Sequence, residues 1–146
     1  MTAFQAIDTN FREIFAGLTA GSGHLVLLNE ENPFAGGLTF AVQPQEKKVH
    51  LLSALSGGEK SIVTLSFIFA VQKYLPAPFY AMDEIDMFLD GSNVERIAAM
   101  IKDLSRNAQS IIVSLRKPMI ERADRILGVT LHPDKSTLVT GVKAGG

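Results

Sequence analysis

The chain has 146 residues, a formal net charge of −1 and no cysteine. This length fits one domain, spanning residues 1–146, with a real core. The composition excludes disulfides, thiolate catalysis and cysteine-based metal sites, and the balanced charge gives no global case for nucleic acid or a membrane surface. No apolar run is long enough to cross a bilayer, so we expect a cytoplasmic protein without membrane contact.

The elements follow from the spacing of apolar residues. An amphipathic helix is predicted over residues 3–17, and two strand-like runs around a turn-rich segment predict an antiparallel pair near the N-terminus. From residue 59 onward helix and strand alternate, which indicates an α/β fold with a mainly parallel sheet flanked by helices. The predicted strands are 24–28, 37–42, 79–83, 110–114, 125–131 and 137–140, and the later helices are 59–74, 92–106 and 118–122.

Two of these elements have an informative composition. The helix over 59–74 is apolar nearly all round, so we expect it to be buried on more than one side. The strand Phe79-Tyr80-Ala81-Met82 is unbroken apolar, which is typical of a central strand covered on both faces. It ends in Asp83 and Glu84, and ligands of open α/β sheets bind at such carboxyl ends.

The segment Ser56-Gly57-Gly58 immediately precedes the long helix. A helix N-terminus offers free N–H groups and partial positive charge to a phosphate, the glycines allow close approach of the backbone, and Ser56 adds a hydroxyl donor. The alternative is an ordinary N-cap serine with glycines in the turn.

The same segment is not a P-loop. The run Gly58-Glu59-Lys60-Ser61 resembles the end of one, but Glu59 and Ala54 occupy the two positions that require glycine. A carboxylate at that point would repel the phosphate. No other segment of the chain has the motif, so we expect this chain to be poorly equipped to bind ATP by itself.

The pair Asp83-Glu84 offers two carboxylates with separate tasks. A carboxylate at a strand end can hold Mg²⁺ through water, and a neighbouring one can position or deprotonate an attacking water. Adjacent strand residues point to opposite faces, so the two need not compete. The alternative is a solvated acidic loop, because Asp86 and Asp90 follow closely.

Asp90-Gly91-Ser92 precedes the helix predicted over 92–106. Ser92 with Glu95 three residues later fits a capping box. Asp90 is either part of a turn or part of an interface loop, and the local sequence favours the turn.

The order and spacing of these segments resemble a known family. Leu55-Ser56-Gly57-Gly58-Glu59-Lys60, then Phe79 to Asp86, then Leu89-Asp90 resemble the signature motif, Walker B motif and D-loop of ABC ATPases. The flanking segments PFYAMDEIDMFLDGSNVERIA and IIVSLRKPMIERADRILGVTL look like structural-maintenance-of-chromosomes (SMC) proteins, and the resemblance extends over residues 4 to about 142.

The resemblance implies a C-terminal lobe of an SMC ATPase head, with the P-loop on a separate N-terminal lobe and residues 1–17 ending a coiled-coil arm. It implies that Ser56, Gly57 and Gly58 bind the γ-phosphate of an ATP held on a second head. It also implies that Asp83 supports Mg²⁺, that Glu84 is the general base, and that Asp90 reaches across the head–head interface.

The implied partners are the N-terminal lobe, a second SMC head, a kleisin subunit and DNA. The implied activity is ATP hydrolysis that drives DNA organisation, chromosome condensation and segregation, with the chain inactive on its own. One position departs from the ABC pattern: Leu115 stands where many ABC ATPases carry a γ-phosphate-contacting histidine, so either Ser114 or Arg116 compensates or hydrolysis is slow and leans on Glu84.

Two further readings stay open. The chain could be a lobe of a related ABC ATPase from DNA repair, with the same chemistry on broken ends. It could also be a non-catalytic lobe that serves as a binding platform.

Overall fold

The computed structural model describes residues 3–43 and 50–143. These residues form four α-helices, one short 3-10 turn and seven strands. The helices are α1 (Ala3–Thr19), α2 (Gly57–Tyr74), α3 (Gly91–Leu104) and α4 (Lys117–Glu121), and the 3-10 turn is Leu52–Ala54. The strands are β1 (Ser22–Leu27), β2 (Leu38–Gln43), β3 (His50–Leu51), β4 (Phe79–Asp83), β5 (Gln109–Val113), β6 (Arg125–Leu131) and β7 (Thr137–Lys143).

The core lies where α1 packs against α2. Phe11 and Phe15 stack with ring centroids 5.6 Å apart, and both are fully buried together with Phe69 of α2. Burial of aromatic side chains of this size is a dominant source of folding free energy. The buried residues of α2 lie on one broad face of the helix: Ile62, Val63, Leu65, Ser66, Phe69 and Ala70. On the opposite face Thr64 and Ile68 are exposed, so the prediction that α2 is buried on more than one side is wrong for the described chain.

The first sheet is antiparallel. Strand β1 pairs with β2 from Ser22 opposite Gln43 to Leu27 opposite Leu38, so the predicted N-terminal pair is confirmed. The two-residue strand β3 adds to β2 and was not predicted. The neighbouring residues 44–49 lie outside the described part of the chain.

The prediction of a mainly parallel sheet is wrong. In the described chain only β4 and β5 pair in parallel, while β6 and β7 form a separate antiparallel hairpin. A helical crossover, α3, separates β4 from β5 and permits parallel pairing. The connection between β6 and β7 is only residues 132–136, closed by a hydrogen bond from the His132 N–H to the Ser136 carbonyl (2.8 Å), and so short a connection requires antiparallel strands.

The expectation that β4 is covered on both faces is also wrong. Phe79 is 59% exposed, and the burial of β4 alternates between exposed and half-buried residues. The apolar sequence of β4 therefore has one face packed on the protein and one bare face. Within the described residues, none of the helices combines the length and apolar character needed to cross a membrane.

Candidate functional site

Ser56 is the N-cap of α2. Its hydroxyl oxygen accepts a hydrogen bond from the Glu59 N–H (3.4 Å), and the Glu59 carboxylate accepts one from the Ser56 N–H (2.9 Å). This reciprocal capping box satisfies N–H groups that the first turn of a helix leaves unpaired. The ordinary N-cap role is therefore present, and it leaves open a further role in phosphate binding.

The same capping box engages the Ser56 hydroxyl as a donor. The hydroxyl donates to the Glu59 carboxylate over 2.8 Å. Ser56 would have to exchange this acceptor for a phosphate oxygen in order to bind one. The Gly57 and Gly58 N–H groups differ, since no hydrogen bond is recorded for either among the described residues. A side chain at Gly57 would meet nothing within 4 Å, so the backbone is open to an approaching anion.

Asp83 ends β4, and Glu84 follows in an unusual backbone conformation. The φ angle of Glu84 is 47°, in the left-handed region that non-glycine residues avoid. A hydrogen bond from the Glu84 N–H to the Val113 carbonyl (3.0 Å) ties this residue to the end of β5. Both carboxylate side chains belong to exposed residues. Backbone strain of this kind often accompanies functional positions.

The donor chemistry at Asp83 suits Mg²⁺. Within the described residues, no group of three or more acidic or histidine side chains could cage a metal ion. Mg²⁺ does not require such a cage, because it commonly keeps several waters and takes one or two carboxylates together with substrate phosphates. An exposed aspartate at a strand end fits that mode. When bound, the ion would offset phosphate charge.

Asp90 is the N-cap of α3, so the predicted capping box that starts at Ser92 is wrong. The Asp90 carboxylate accepts hydrogen bonds from the Asn93 N–H (2.9 Å), the Ser92 hydroxyl (2.9 Å) and the Asn93 amide (3.1 Å). The bond from the Asn93 backbone, followed by that from Ser92, lowers the pKa of Asp90 below its ordinary value of 3.8. Helix α3 begins at Gly91 because Asp90 is the better-placed cap.

The structure brings some of the predicted site residues together. A side chain at Gly58 would lie 3.2 Å from the Phe88 carbonyl, so the start of α2 touches residues 84–90, which we call the β4–α3 loop. Glu84 opens this loop and Asp90 ends it. No hydrogen bond joins Ser56 to Asp83 or Glu84 in the part of the chain that the structure describes.

The sequence did not identify Asp86. The expected alternative was a solvated acidic loop, but Asp86 is only 3% exposed. It accepts a hydrogen bond from the Ser114 hydroxyl, which follows β5. The one available signal was its position between Ile85 and Met87, where an isolated charge interrupts apolar residues.

Three basic residues of the described chain each form an exposed ion pair. Lys102 pairs with Asp124, Lys117 with Glu121 and Arg106 with Asp103. Exposed pairs of this kind contribute little to stability, but they place an acidic group beside these bases. These three bases are therefore solvated charges, each with an acidic neighbour.

A family model and the relatives similar to this chain agree on one family. Residues 8–137 match the family model described as the RecF/RecN/SMC N terminal domain. The chain is 57% identical over 143 residues to the chromosome partition protein Smc of Gloeobacter violaceus, covering 98% of this chain and 12% of that protein. The chain thus spans about one eighth of the length of the curated relatives it matches.

Solved structures have the same fold. One, from work on ATP-driven dimerization and DNA-stimulated activation of SMC ATPases, is 46% identical with a TM-score of 0.88, and the match covers 97% of this chain and 86% of that one. Another is the Smc head domain of Pyrococcus furiosus with an extended coiled coil, bound to the C-terminal domain of ScpA. It is 47% identical with a TM-score of 0.89, covering 96% and 35% of the two chains.

The left-handed conformation of Glu84 leads to a stability prediction. We expect Glu84→Gly to be more stable than Glu84→Ala by about 1 kcal/mol, because only glycine adopts positive φ without steric cost. Denaturant unfolding of the two variants measures the difference. The matched control is the same pair of changes at Glu95, inside α3, where glycine should instead be less stable than alanine by about 1 kcal/mol. Equal stabilities of the two Glu84 variants would contradict the inference that the backbone at position 84 is strained.

The cap at Asp90 leads to a second prediction. Asp90→Ala should lower the free energy of unfolding by about 1 kcal/mol at neutral pH, whereas Asp90→Asn, which also caps helices, should lower it by less. Because the folded-state pKa is lowered, the stabilising contribution of the carboxylate is present above about pH 3.8 and is lost as the pH falls through the folded-state value. Asp90→Asn should therefore reduce the loss of stability below pH 4, measured by unfolding across pH.

Proposed function

Because this chain belongs to the SMC family, we propose that it is the C-terminal lobe of an SMC ATPase head, which binds and hydrolyses ATP between two heads. The observation that carries the proposal is the combination of an open, glycine-containing helix start at Ser56–Gly58 with a parallel strand that ends in Asp83 and Glu84. The β4–α3 loop connects them by contact, since Phe88 lies against Gly58.

The choice of lobe is our inference from the residues present. The description of the matched family model names an N-terminal domain, whereas the sequence has no P-loop and has Glu59 at a position where that motif requires glycine. The chain matches 12% of its Gloeobacter relative, so the P-loop would belong to another part of the same long protein. A solved SMC chain matched over 86% of its length has nearly the same extent.

In its own head, the chain would supply the carboxylates. Glu84 acts as the general base that accepts a proton from the attacking water, since its carboxylate is exposed at the end of β4. Asp83 holds Mg²⁺ through water. The Leu115 side chain offers no hydrogen-bond donor where many ABC ATPases have a histidine, so hydrolysis would depend mainly on Glu84.

Toward the second head, the chain would supply the helix start. The Gly57 and Gly58 N–H groups bind the γ-phosphate of the partner's ATP, with the Ser56 hydroxyl joining them after it leaves Glu59. Asp90 reaches across the interface from its position at the start of α3. ATP then holds two heads together, and hydrolysis releases them.

The exposed apolar face of β4 and β5 is the proposed docking surface for the P-loop lobe. Phe79, Ile111 and Val113 are each more than half exposed and point to the same side of the two strands. Asp83, which pairs in register with Val113, lies on this side as well. A lobe that covers this apolar face would bring its nucleotide toward Asp83. We therefore propose the P-loop lobe as the occupant, and not a lipid surface.

The larger assembly follows from the relatives. A kleisin subunit is proposed because a similar Smc head is solved with the C-terminal domain of ScpA. DNA organisation, with chromosome condensation and segregation, is proposed because the relatives are named chromosome partition proteins. These names favour a chromosomal role over DNA repair, and loss of turnover at Glu84 would distinguish a catalytic lobe from a binding platform.

Complementation tests the lobe assignment. We expect no Mg-ATP turnover by this chain alone and clear turnover once the P-loop lobe is supplied. Ile111→Asp should weaken binding of that lobe by about tenfold or more, because it buries an unpaired charge. Leu138→Asp, at a similarly exposed residue of the β6–β7 hairpin, is the control and should leave binding unchanged. Turnover by the isolated chain would refute the assignment.

Substitution of the proposed base tests the chemistry. Glu84→Gln keeps the shape and removes the proton acceptor, so kcat of the complemented head should fall by about 100-fold or more. ATP-dependent association of heads should persist, because the phosphate contacts lie elsewhere. Single-turnover hydrolysis and analytical ultracentrifugation measure the two effects. Full activity of Glu84→Gln would remove Glu84 from the role.

A further inference from the structure

Asp86 is a buried carboxylate that the proposed chemistry does not use. It is 3% exposed and lies in the β4–α3 loop, between Glu84 and Asp90. Within residues 3–43 and 50–143, no lysine, arginine or histidine lies within ion-pair distance of it. A buried carboxylate is costly unless hydrogen bonds compensate it. Its partner therefore matters to the position of the loop.

That partner is Ser114, the first residue after β5. The Ser114 hydroxyl donates to the Asp86 carboxylate, and the same oxygen accepts a hydrogen bond from the Arg116 N–H (2.9 Å). The Ser114 hydroxyl is thus both a donor and an acceptor. It connects the middle of the β4–α3 loop to the start of α4, for which Arg116 is the N-cap residue.

Arg116 continues the connection to the end of the loop. Its guanidinium donates to the Leu89 carbonyl (3.3 Å), and the Leu89 N–H donates to the Asp86 carbonyl (3.2 Å). Leu89 is buried and immediately precedes Asp90. The position of Asp90 is therefore constrained through Leu89 by both Asp86 and Arg116.

The other end of the loop is held at the same strand end. The Glu84 N–H donates to the Val113 carbonyl, one residue before Ser114. The turn after β5 thus contacts the β4–α3 loop at its beginning, its middle and its end. Displacement of residues 114–116 would move Glu84 and Asp90 together.

We propose that Asp86, Ser114 and Arg116 are positioning residues that couple Glu84, which serves the nucleotide of its own head, to Asp90, which serves the interface with the second head. This inference rests on the proposed function of those two residues. The network acts through the loop and does not itself touch the nucleotide. Its loss should impair hydrolysis and head association while leaving ATP binding by the P-loop lobe intact.

The test uses the complete SMC protein that contains this segment. Ser114→Ala removes the shared hydroxyl at a half-buried position and is the milder variant. We expect kcat to fall between about tenfold and about 100-fold, as is typical when a positioning contact is lost, with KM for ATP changed by less than about threefold. In a Glu84→Gln background, ATP-dependent association of heads should weaken by about tenfold.

A second pair of variants keeps the test informative if folding is affected. Asp86→Ala leaves the Ser114 hydroxyl without its acceptor and should reproduce the loss of kcat. Asp86→Asn retains a carbonyl oxygen that can accept the same hydrogen bond, so it should recover at least about a third of wild-type kcat. Unchanged kcat in Ser114→Ala, or in a folded Asp86→Ala, would overturn the proposal.

The matched control is Ser105→Ala. This substitution also removes two hydrogen bonds of a half-buried serine, one to the Ile101 carbonyl and one to Ser110. Ser105 follows α3 and lies near the start of β5, whereas Ser114 follows its end. It should lower the midpoint of thermal unfolding without changing kcat. Equal loss of kcat in Ser105→Ala and Ser114→Ala would overturn the proposal in favour of a general stability effect.

The outcomes separate this inference from the proposed function. If wild type hydrolyses ATP and Glu84→Gln does not, while Ser114→Ala is fully active, only the positioning network fails. If Glu84→Gln is as active as wild type, or the complete protein does not hydrolyse ATP, the proposed function fails and the network loses its role with it.

Discussion

The parallel pairing of β4 with β5 is the constraint on which the site depends. Five residue pairs hold the strands in register, from Phe79 opposite Gln109 to Asp83 opposite Val113. The register determines which residues lie side by side at the ends of the two strands. Asp83 and Val113 end their strands side by side, and the next residues, Glu84 and Ser114, open the loops that carry the proposed chemistry. A slip by one residue would move every side chain to the opposite face and separate these loops.

Two residues at helix starts combine a structural role with a proposed functional role. Ser56 and Asp90 are both N-caps, and each is also a residue that the family resemblance assigns to a neighbouring head. The two uses differ in cost. Asp90 accepts hydrogen bonds on both carboxylate oxygens and remains exposed, whereas Ser56 donates its only hydroxyl hydrogen to Glu59. The proposed phosphate binding at Ser56 would therefore compete with a hydrogen bond that caps α2, and the glycine N–H groups would be the primary donors.

The sequence predicted local structure better than sheet architecture. The bounds of β4 and β6 were predicted as observed, and α1 to α4 were found within a few residues, because periodicity and turn residues are local signals. The sheet was mispredicted because strand pairing is decided by packing that no local pattern records. An unbroken apolar strand predicts burial on both faces, yet one face of β4 is exposed. We propose that another lobe covers this face. The alternative of a solvated acidic loop fails at Asp86 for the same reason, because Asp86 is buried against Ser114, 28 residues later in the chain.

The turn after β5 carries the one position that departs from the ABC ATPase pattern, Leu115. Ser114 and Arg116 turn toward the protein, while Leu115 between them is 93% exposed. Within the described chain, a histidine at 115 would face outward, toward whatever covers this end of the sheet. With leucine there, the side chain at that position offers a ligand no hydrogen bond. The side chains at 114 and 116 instead bind Asp86 and the Leu89 carbonyl of the β4–α3 loop, and through this contact the turn would act on the proposed roles of Glu84 and Asp90.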